Sequence, residues 1–266
     1  GTLSIFGMQL RFDLRLGFPA VTTKKLAWRA VVSELLWFLE GSGNELRLKE
    51  ILYGTSATDR STIWSANANS EYWKPLAKCE GDLGRIYGVQ WRNWRTPNRK
   101  WINSSTFEPV TIDQLSRLID GLKNDPDSRR HILTAWNPGE LDLMALPPCH
   151  VLSQFDVTDG YLSCQLYQRS CDMFLGVPFN IASYSLLTHL IAKEIGSDVG
   201  EFILTFGDVH IYTNHIDQCK EQLSRSPLPL CQLDIKQVAG ITTATVDRCV
   251  LVEYQSHPAI SAPMAV

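Results

Sequence analysis

The chain has 266 residues, 44% of them apolar, and a formal net charge of −3 from 25 basic and 28 acidic side chains. This apolar content is enough for one large core, and the lack of a long basic run argues against nucleic acid as the main partner. The longest apolar runs are far shorter than the roughly 18 residues that a membrane-spanning helix needs. No linker rich in Pro, Gly and Ser divides the sequence, so we predict a single domain over residues 1–266.

The seven cysteines indicate a reducing compartment. Their number is odd, none is spaced C-x-x-C, and no Cys/His cluster has zinc-finger spacing. We therefore expect free thiols, a cytoplasmic protein and no metal cofactor. The cysteines are Cys79, Cys149, Cys164, Cys171, Cys219, Cys231 and Cys249.

In the first half of the chain, the alternation of "LSIFGMQLRFDL" predicts a pair of strands with a turn near Gly7. The stretch "KLAWRAVVSELLWFLEG" has helical spacing and is expected to end at Gly41. Residues 45–110 show little periodicity, which predicts loops and short helices. The stretch "TIDQLSRLIDGLKNDPDS" predicts an amphipathic helix that begins at Thr111 and stops before Pro126.

The second half is richer in strands. "HILTAWN", "HVLSQFDV" and "YLSCQLYQRS" read as strands, and the Asp-Gly turn between the last two predicts a hairpin. "FNIASYSLLTHLIAKEIG" predicts a long buried helix, "EFILTF" a strand, "HIYTNHIDQCKEQLSRS" a surface helix, and "CQLDI" and "CVLVEY" late strands. Because helices are interspersed irregularly, the fold class expected is α+β, with a large mixed or antiparallel sheet packed against helices.

Glu34 is a candidate acid and base. It lies among apolar neighbours in "AVVSELLWFL". The helix either turns it outward to water or holds it in a partly dry site, where burial would raise its pKa towards neutrality.

Two stretches offer anion contacts. Arg129 and Arg130 in "DSRRH" form either a solvated basic turn or a phosphate site, since arginine binds phosphate with two parallel hydrogen bonds. The strand that ends in "YQRSCD" carries Gln168, Arg169 and Ser170, and its polar residues are unusual for a plain core. Arg169 with Ser170 would suit a second phosphate contact.

Asn180, which opens an apolar helix, is either a helix cap or a ligand-reading amide. Its carboxamide offers one donor and one acceptor, which match the oxygen and imide of uracil and not cytosine. His210 and Tyr212 are two residues apart, so they share a face if the chain is extended, where they could contact a sugar hydroxyl.

Cys149 stands in an unusual setting, "ALPPCHV", and is a candidate nucleophile. We expect its neighbour His150 to face the opposite way along a strand, which argues against a cysteine–histidine hydrolase. A thiolate here would need a cation nearby, and an arginine would supply it.

Together these stretches resemble the thymidylate synthase family over essentially the whole chain. The resemblance implies an α+β fold that dimerises through a large sheet, and transfer of one carbon from 5,10-methylenetetrahydrofolate to deoxyuridylate (dUMP), with no metal. The products implied are thymidylate (dTMP) and dihydrofolate. The motifs that carry the resemblance are "GFPAVTTKK", "ELLWFLEG", "GDLGRIYGVQWR", "DSRRHILTAWNP", "MALPPCH", "YQRSCDMFLGVPFNIASY", "GDVHIYTNH" and the terminal "MAV".

The resemblance assigns roles by position. Cys149 matches the nucleophile that adds to carbon 6 of uracil, with Arg169 near its thiolate. Glu34 matches the carboxyl that organises water and moves protons, and Tyr87 belongs to the chain that removes the carbon 5 proton. The implied dUMP contacts are Arg129 and Arg130 donated across the dimer interface, together with Gln168, Arg169, Ser170, Asn180, His210 and Tyr212. The implied folate contacts are Trp64, Asp172, which also has a catalytic role, and the terminal Val266, whose segment closes over the ligands and excludes water.

Some positions depart from the family pattern. Ser65 stands where an aspartate is usual, Arg85 where a proline is usual, and Phe206 where smaller residues are common. A family arginine on a phosphate loop falls just before Gly1 and is not in this sequence.

Ser65 raises an alternative, a deoxyuridylate hydroxymethylase in which water captures the intermediate, giving 5-hydroxymethyl-dUMP and tetrahydrofolate. Trp64 and the terminal "AV" favour the synthase, and Asn180 in place of an aspartate argues against a cytidylate enzyme. A nucleotide- or RNA-binding protein without catalysis is a third hypothesis, which the presence of the catalytic set argues against.

Overall fold

A computed structural model describes residues 1–103 and 106–264, and it describes the side chains of these residues except those of 97–109. Within this part of the chain, the strands are β1 (Thr2–Asp13), β2 (Trp94–Asn103), β3 (Thr106–Ile112), β4 (Ile132–Thr134), β5 (His150–Thr158), β6 (Tyr161–Asp172), β7 (Asp198–Tyr212), β8 (Gln232–Asp234) and β9 (Val250–Val252). The α-helices are α1 (Trp28–Glu40), α2 (Glu45–Tyr53), α3 (Ser65–Ala68), α4 (Tyr87–Arg92), α5 (Gln114–Asn124), α6 (Gly176–Ile195) and α7 (Ile216–Leu223).

Five of the strands form one mixed sheet in the order β1-β7-β6-β5-β4. The β6–β7 pair is parallel, and the other pairs are antiparallel. The β2–β3 and β8–β9 pairs form separate two-stranded sheets. Strands and helices are interspersed rather than alternating, so the α+β prediction with a large mixed sheet is confirmed.

Helix α6 covers one face of this sheet, and the apolar helix α1 packs against α6, α2 and α4. Nine consecutive residues of α1, Val31 to Leu39, are buried, because a helix that packs against several other helices is apolar on most sides. Gly41 ends α1 in the left-handed conformation with φ 76°, as predicted, since glycine adopts that conformation without steric cost. Helix α6 packs on β6 and β7 and also against α1.

The predicted β5–β6 hairpin is confirmed. Its two turn residues, Asp159 and Gly160, both have positive φ, 53° and 82°, as a type I′ turn requires. The register pairs His150 with Gln168 at the far end of the hairpin. The end of β6 therefore runs beside the residues that precede β5. This places the motif "YQRSCD" next to the motif "ALPPCHV".

Two local predictions are wrong. The segment around Gly7 is a single strand that pairs with β7 from Thr2 to Asp13, with no reversal at Gly7 despite its φ of 86°. Helix α5 begins at Gln114, and its cap is Asp113, whose side chain accepts from the N–H of Ser116. Pairing with a long neighbouring strand outweighs the turn preference of one glycine, and a carboxylate caps better than the hydroxyl of Thr111.

Residues 45–110 contain the predicted short helices and, in addition, the β2–β3 hairpin, which the weak periodicity did not indicate. Strand β7 is longer than "EFILTF" and continues through Tyr212, so the surface helix begins only at Ile216. Within the described residues, no helix has the length and apolar character that a membrane crossing requires.

Candidate active site

A cavity of about 510 Å³ opens where β5 begins and β6 and β7 end, beside helices α1, α4 and α6. It brings together residues from six separate stretches of the sequence. Met264, two positions before the chain end, also lines it. The predicted residues that line it are Glu34, Trp64, Tyr87, Cys149, Gln168, Arg169, Ser170, Asp172, Asn180, His210 and Tyr212.

Cys149 lies at the floor of this cavity, beside Arg169. The N–H of Arg169 donates to the carbonyl oxygen of Cys149 at 2.9 Å. The guanidinium donates to the carbonyl oxygens of Pro147 at 2.8 Å and Pro148 at 2.9 Å. The proline pair therefore places two backbone acceptors that hold the Arg169 guanidinium beside the residues preceding Cys149.

Cys149 and His150 both line the cavity, although the sequence predicts that neighbours on a strand face opposite ways. Cys149 lies in a bend before β5, and the register shifts between His150 and Leu152, so strand alternation does not apply here. Burial lowers the pKa of His150 to about 4, against the hydrogen bond with Asn180, so the imidazole is neutral at pH 7. Its ring packs edge-on to Tyr87 and Tyr184.

Tyr87 begins α4 and joins Cys149 directly. The backbone N–H of Cys149 donates to the Tyr87 hydroxyl at 2.7 Å. The phenol stacks on Phe38 at 4.9 Å between ring centres. Gly88 permits this approach, since a Cβ there would lie 2.2 Å from the Phe38 carbonyl oxygen. Burial, with a smaller effect from Cys149, raises the pKa of Tyr87 well above its usual value, so it remains protonated.

Glu34 points into the cavity from α1 and is only 4% exposed. The indole N–H of Trp64 donates to its Oε1 at 2.7 Å. Burial raises the pKa of Glu34 to about 7, and the Trp64 hydrogen bond opposes this rise. The carboxyl is thus poised to give and accept protons near neutral pH, which agrees with the partly dry site considered above.

Asn180 is held by a neighbouring amide. Gln168 Nε2 donates to Asn180 Oδ1 at 3.0 Å and to the Ser170 carbonyl oxygen at 3.0 Å. Within the described part of the chain, Gln168 Oε1 and His150 Nδ1 are buried without a hydrogen-bond partner. This end of the cavity therefore holds a pair of oriented amides, which suits a ligand with an amide-like edge.

His210 and Tyr212 lie together at the end of β7, with ring centres 5.2 Å apart. Asp208 Oδ1 accepts from His210 Nδ1 at 2.7 Å. When the imidazole is neutral, this contact assigns the proton to Nδ1 and leaves Nε2 as an acceptor. Asp208 was missed in the sequence, although its i, i+2 spacing from His210 on a strand was a usable signal.

Asp172, at the end of β6, accepts from the N–H groups of Phe174 at 3.0 Å and Leu175 at 3.2 Å. Lys24 was also missed. Its ammonium donates to the Phe174 carbonyl oxygen and lies 3.5 Å from the centre of the Phe174 ring. Burial lowers the pKa of Lys24 to about 8, against the attraction of Asp172. The "TTKK" motif was the signal that pointed to it.

A family model described as thymidylate synthase matches residues 1–266. The chain belongs to the thymidylate synthase family. This family transfers one carbon to dUMP and uses methylenetetrahydrofolate as its co-substrate, so the chain is a one-carbon transferase. The individual roles that the sequence assigned to the cavity residues stay predictions.

Two of the predicted residues, Arg129 and Arg130, do not line the cavity. Arg129 and Arg130 are exposed and lie in the turn before β4. Val266 lies outside the described residues. Among the residues that are described, no group of three or more His, Cys, Asp or Glu side chains could hold a metal ion.

The side chains that depart from the thymidylate synthase pattern lie outside the cavity lining. Ser65 donates its hydroxyl to Glu45, a buried carboxylate at the start of α2. Arg85 is buried, and its Nε lies 2.6 Å from Glu140 Oε2. Phe206 is part of the core at 2% exposure. None of these three side chains lines the cavity.

Most other cysteines are held as thiols. Burial raises the pKa of Cys164 and Cys171 to about 12 and that of Cys249 to about 11. It also raises the pKa of Cys219 and Cys231. Among the described cysteines, Cys149 is the one that lines the cavity.

Proposed function

We propose that this chain transfers one carbon from 5,10-methylenetetrahydrofolate to carbon 5 of dUMP through a covalent adduct at Cys149, giving dTMP and dihydrofolate. The observation that carries the proposal is the position of Cys149 between Arg169 and Tyr87 on the floor of the cavity. Sulfur suits the reaction because it adds to an electron-poor carbon and also leaves it readily.

In this proposal Cys149 adds to carbon 6 of the uracil ring, and carbon 5 becomes an enolate-like nucleophile. Glu34, with its pKa near 7, protonates and deprotonates the ring oxygen through water. Tyr87 passes on the proton that leaves carbon 5. The bound folate supplies the carbon and then the hydride. Cys149 finally leaves carbon 6 and restores the ring.

The cavity residues divide by the part of dUMP they would contact. Arg169 and Ser170 would bind the phosphate, since a guanidinium matches its geometry and charge. Asn180, oriented by Gln168, would read the pyrimidine edge. His210 and Tyr212 would bind the sugar hydroxyl.

Trp64 and Asp172 would face the folate, and the segment ending at Val266 would close over it. Met264 already lines the cavity, which supports a closing role for the residues that follow it. Closure matters because water must be kept from the intermediate before hydride arrives.

We further propose a homodimer through the sheet face opposite α6. Tyr167 is 38% exposed on that face, and Gln165 donates to Thr205 across two of its strands. Gln154 of the same face donates to the Arg129 carbonyl oxygen at 3.2 Å. A second copy packed there would therefore meet Arg129 and Arg130, whose charges could complete the partner's phosphate site.

The alternative product is hydroxymethyl-dUMP, formed if water instead of hydride captures the intermediate. This alternative arises from Ser65, which stands where the family usually has an aspartate. Its hydroxyl donates to Glu45 and accepts from the Thr62 N–H, and it does not line the cavity. A hydroxyl engaged in this way is poorly placed to deliver water, which favours the synthase.

Product analysis by mass spectrometry tests the proposal. The protein is given dUMP and methylenetetrahydrofolate, with Cys149→Ser as the control. A methyl product together with dihydrofolate is expected. A hydroxymethyl product with tetrahydrofolate would establish the alternative. If neither product forms, both the synthase and the hydroxymethylase reactions are rejected.

We also propose that the protein works in the cytoplasm, with dUMP and folate and without nucleic acid as a partner. All seven cysteines are free in the structure, which suits a reducing compartment. Fluorescence microscopy of a tagged copy would test the location.

A further inference from the structure

A second buried carboxylate, Glu45, lies behind the cavity wall. It is the first residue of α2, its side chain is 3% exposed, and it does not line the cavity. Its Oε1 accepts from Thr62 Oγ1 at 2.9 Å and from Ser65 Oγ. Lys49 Nζ is 3.7 Å away, too far for a hydrogen bond.

These two hydroxyls are polarised by the carboxylate. A hydroxyl has one proton, and once the proton is directed at Glu45 the oxygen can only accept from other groups. Ser65 Oγ accepts from the Thr62 N–H at 2.8 Å, and Thr62 Oγ1 accepts from the Trp64 N–H at 3.1 Å. Residues 62–65 are therefore held on both sides of Trp64.

The orientation of Trp64 controls a hydrogen bond in the cavity. Its indole N–H donates to Glu34 Oε1, and its ring packs edge-on to Trp37 and Phe38. A donor on a carboxylate favours the charged form, so this contact opposes the effect of burial on Glu34.

We propose that Glu45 is a positioning residue for Glu34. Through the hydroxyls of Thr62 and Ser65 it holds the Trp64 backbone so that the indole N–H stays on the Glu34 carboxyl. The proposal deepens the proposed function, on which its catalytic consequence rests; the effect on Glu34 itself does not depend on turnover.

Among the described residues, the titratable groups that interact electrostatically with Glu34 include Tyr87 on α4 and Tyr184 on α6. Burial raises the pKa of both phenols well above the usual value, so they stay neutral while Glu34 titrates. Lys49 is the cation nearest to Glu45 among the described residues.

The test is a ¹³C NMR titration of protein labelled at the glutamate carboxyl carbons, with Glu34→Gln to assign the signal. Glu45→Met removes the acceptor while keeping the size. We expect it to move the Glu34 midpoint upward by about one pH unit, as the loss of a hydrogen bond to a charged group predicts. Loss of the Glu45 charge alone would move the midpoint downward, so the direction separates positioning from a field effect.

Matched variants sharpen the test. Glu45→Gln keeps an acceptor oxygen, so the Glu34 midpoint in this variant should lie within about 0.3 pH units of the wild-type value. The same is expected for Thr62→Ser and for the surface control Glu50→Met. Thr62→Val combined with Ser65→Ala should move it upward, and this pair serves if Glu45→Met does not fold. Trp64→Phe is the reference for complete loss of the indole donor.

Three results would overturn the proposal: an unchanged midpoint in both acceptor-deletion variants, an unchanged midpoint in Trp64→Phe, or a further rise when Glu45→Met is added to Trp64→Phe. In turnover assays, Glu45→Met should lower kcat about tenfold with the KM for dUMP within about twofold. If the wild-type protein forms no product, the proposed function fails while the NMR result still decides the role of Glu45.

Discussion

The backbone N–H of Cys149 donates a 2.7 Å hydrogen bond to the phenolic oxygen of Tyr87. The phenol thus fixes the backbone that carries the thiol and keeps its own proton available to the cavity. Burial raises the pKa of Tyr87 well above its usual value, so it can hand on a proton only in concert with another acceptor.

Replacing Tyr87 with Phe should lower kcat by about 100-fold, because a positioned proton carrier contributes on that order. The binding of dUMP, measured by calorimetry, should change little. Tritium release from dUMP labelled at carbon 5 should slow as much as product formation. Tyr53→Phe, at a tyrosine that does not line the cavity, is the control. Tritium release at the wild-type rate in Tyr87→Phe would contradict the proton-transfer role.

Cys149→Ser should abolish turnover while dUMP still binds, because a serine hydroxyl is a much weaker nucleophile at neutral pH than a thiolate. Mass spectrometry with 5-fluoro-dUMP and methylenetetrahydrofolate should show a covalent adduct in the wild-type protein and none in the variant. Exposed Cys79 provides the control as Cys79→Ser. An adduct that survives in Cys149→Ser would place the nucleophile elsewhere.

Asn180→Asp should shift base preference towards cytidine nucleotides. A carboxylate keeps an acceptor for Gln168 but replaces the amide N–H, so it suits the amino group of cytosine instead of the oxygen of uracil. We expect the dCMP-to-dUMP ratio of kcat/KM, or of binding constants, to rise about 100-fold. Asn124→Asp, at an exposed position, is the control for the added charge. An unchanged ratio would show that Asn180 does not recognise the base.

Mixed dimers test the shared arginines. A Cys149→Ala chain and a chain with both Arg129→Ala and Arg130→Ala should each be nearly inactive alone. After unfolding and refolding together they should regain up to about a quarter of wild-type activity, because random pairing leaves one complete site in half of the dimers. Subunit exchange is first verified with differently tagged chains. Hybrid dimers without activity would contradict the cross-interface role.

Glu34→Gln should change how stability depends on pH. The folded-state pKa is raised to about 7, so the folded protein binds a proton that the unfolded chain releases near pH 4.5. The contribution of this carboxyl to wild-type stability should therefore fall as pH rises from about 5 to 8, by on the order of 3 kcal/mol at most. Glu34→Gln should lack this loss in urea unfolding at several pH values, whereas the exposed Glu71→Gln should keep it. If the plots of unfolding free energy against pH run parallel for wild type and Glu34→Gln, the carboxyl does not titrate in this pH range.

Local features were predictable because near neighbours in the sequence determine them. Gly41 ends α1, and Asp159 with Gly160 turns the β5–β6 hairpin, since backbone preferences act within a few residues. The motifs also identified the family and eleven cavity residues. The β2–β3 hairpin escaped because its strands lack clean alternation, and the single long β1 escaped because its partner, β7, lies some 200 residues away.

By itself the sequence determined most of the element types, the α+β class and the residues able to carry the chemistry. Only the tertiary structure decided how these residues act on one another. The Cys149–Tyr87 bond joins residues 62 positions apart, and the Trp64–Glu34 bond joins residues 30 positions apart. The tertiary structure also turned Ser65 towards Glu45. Such contacts depend on how helices pack on a sheet, and burial, which sets the pKa of Glu34, exists only once that packing is complete.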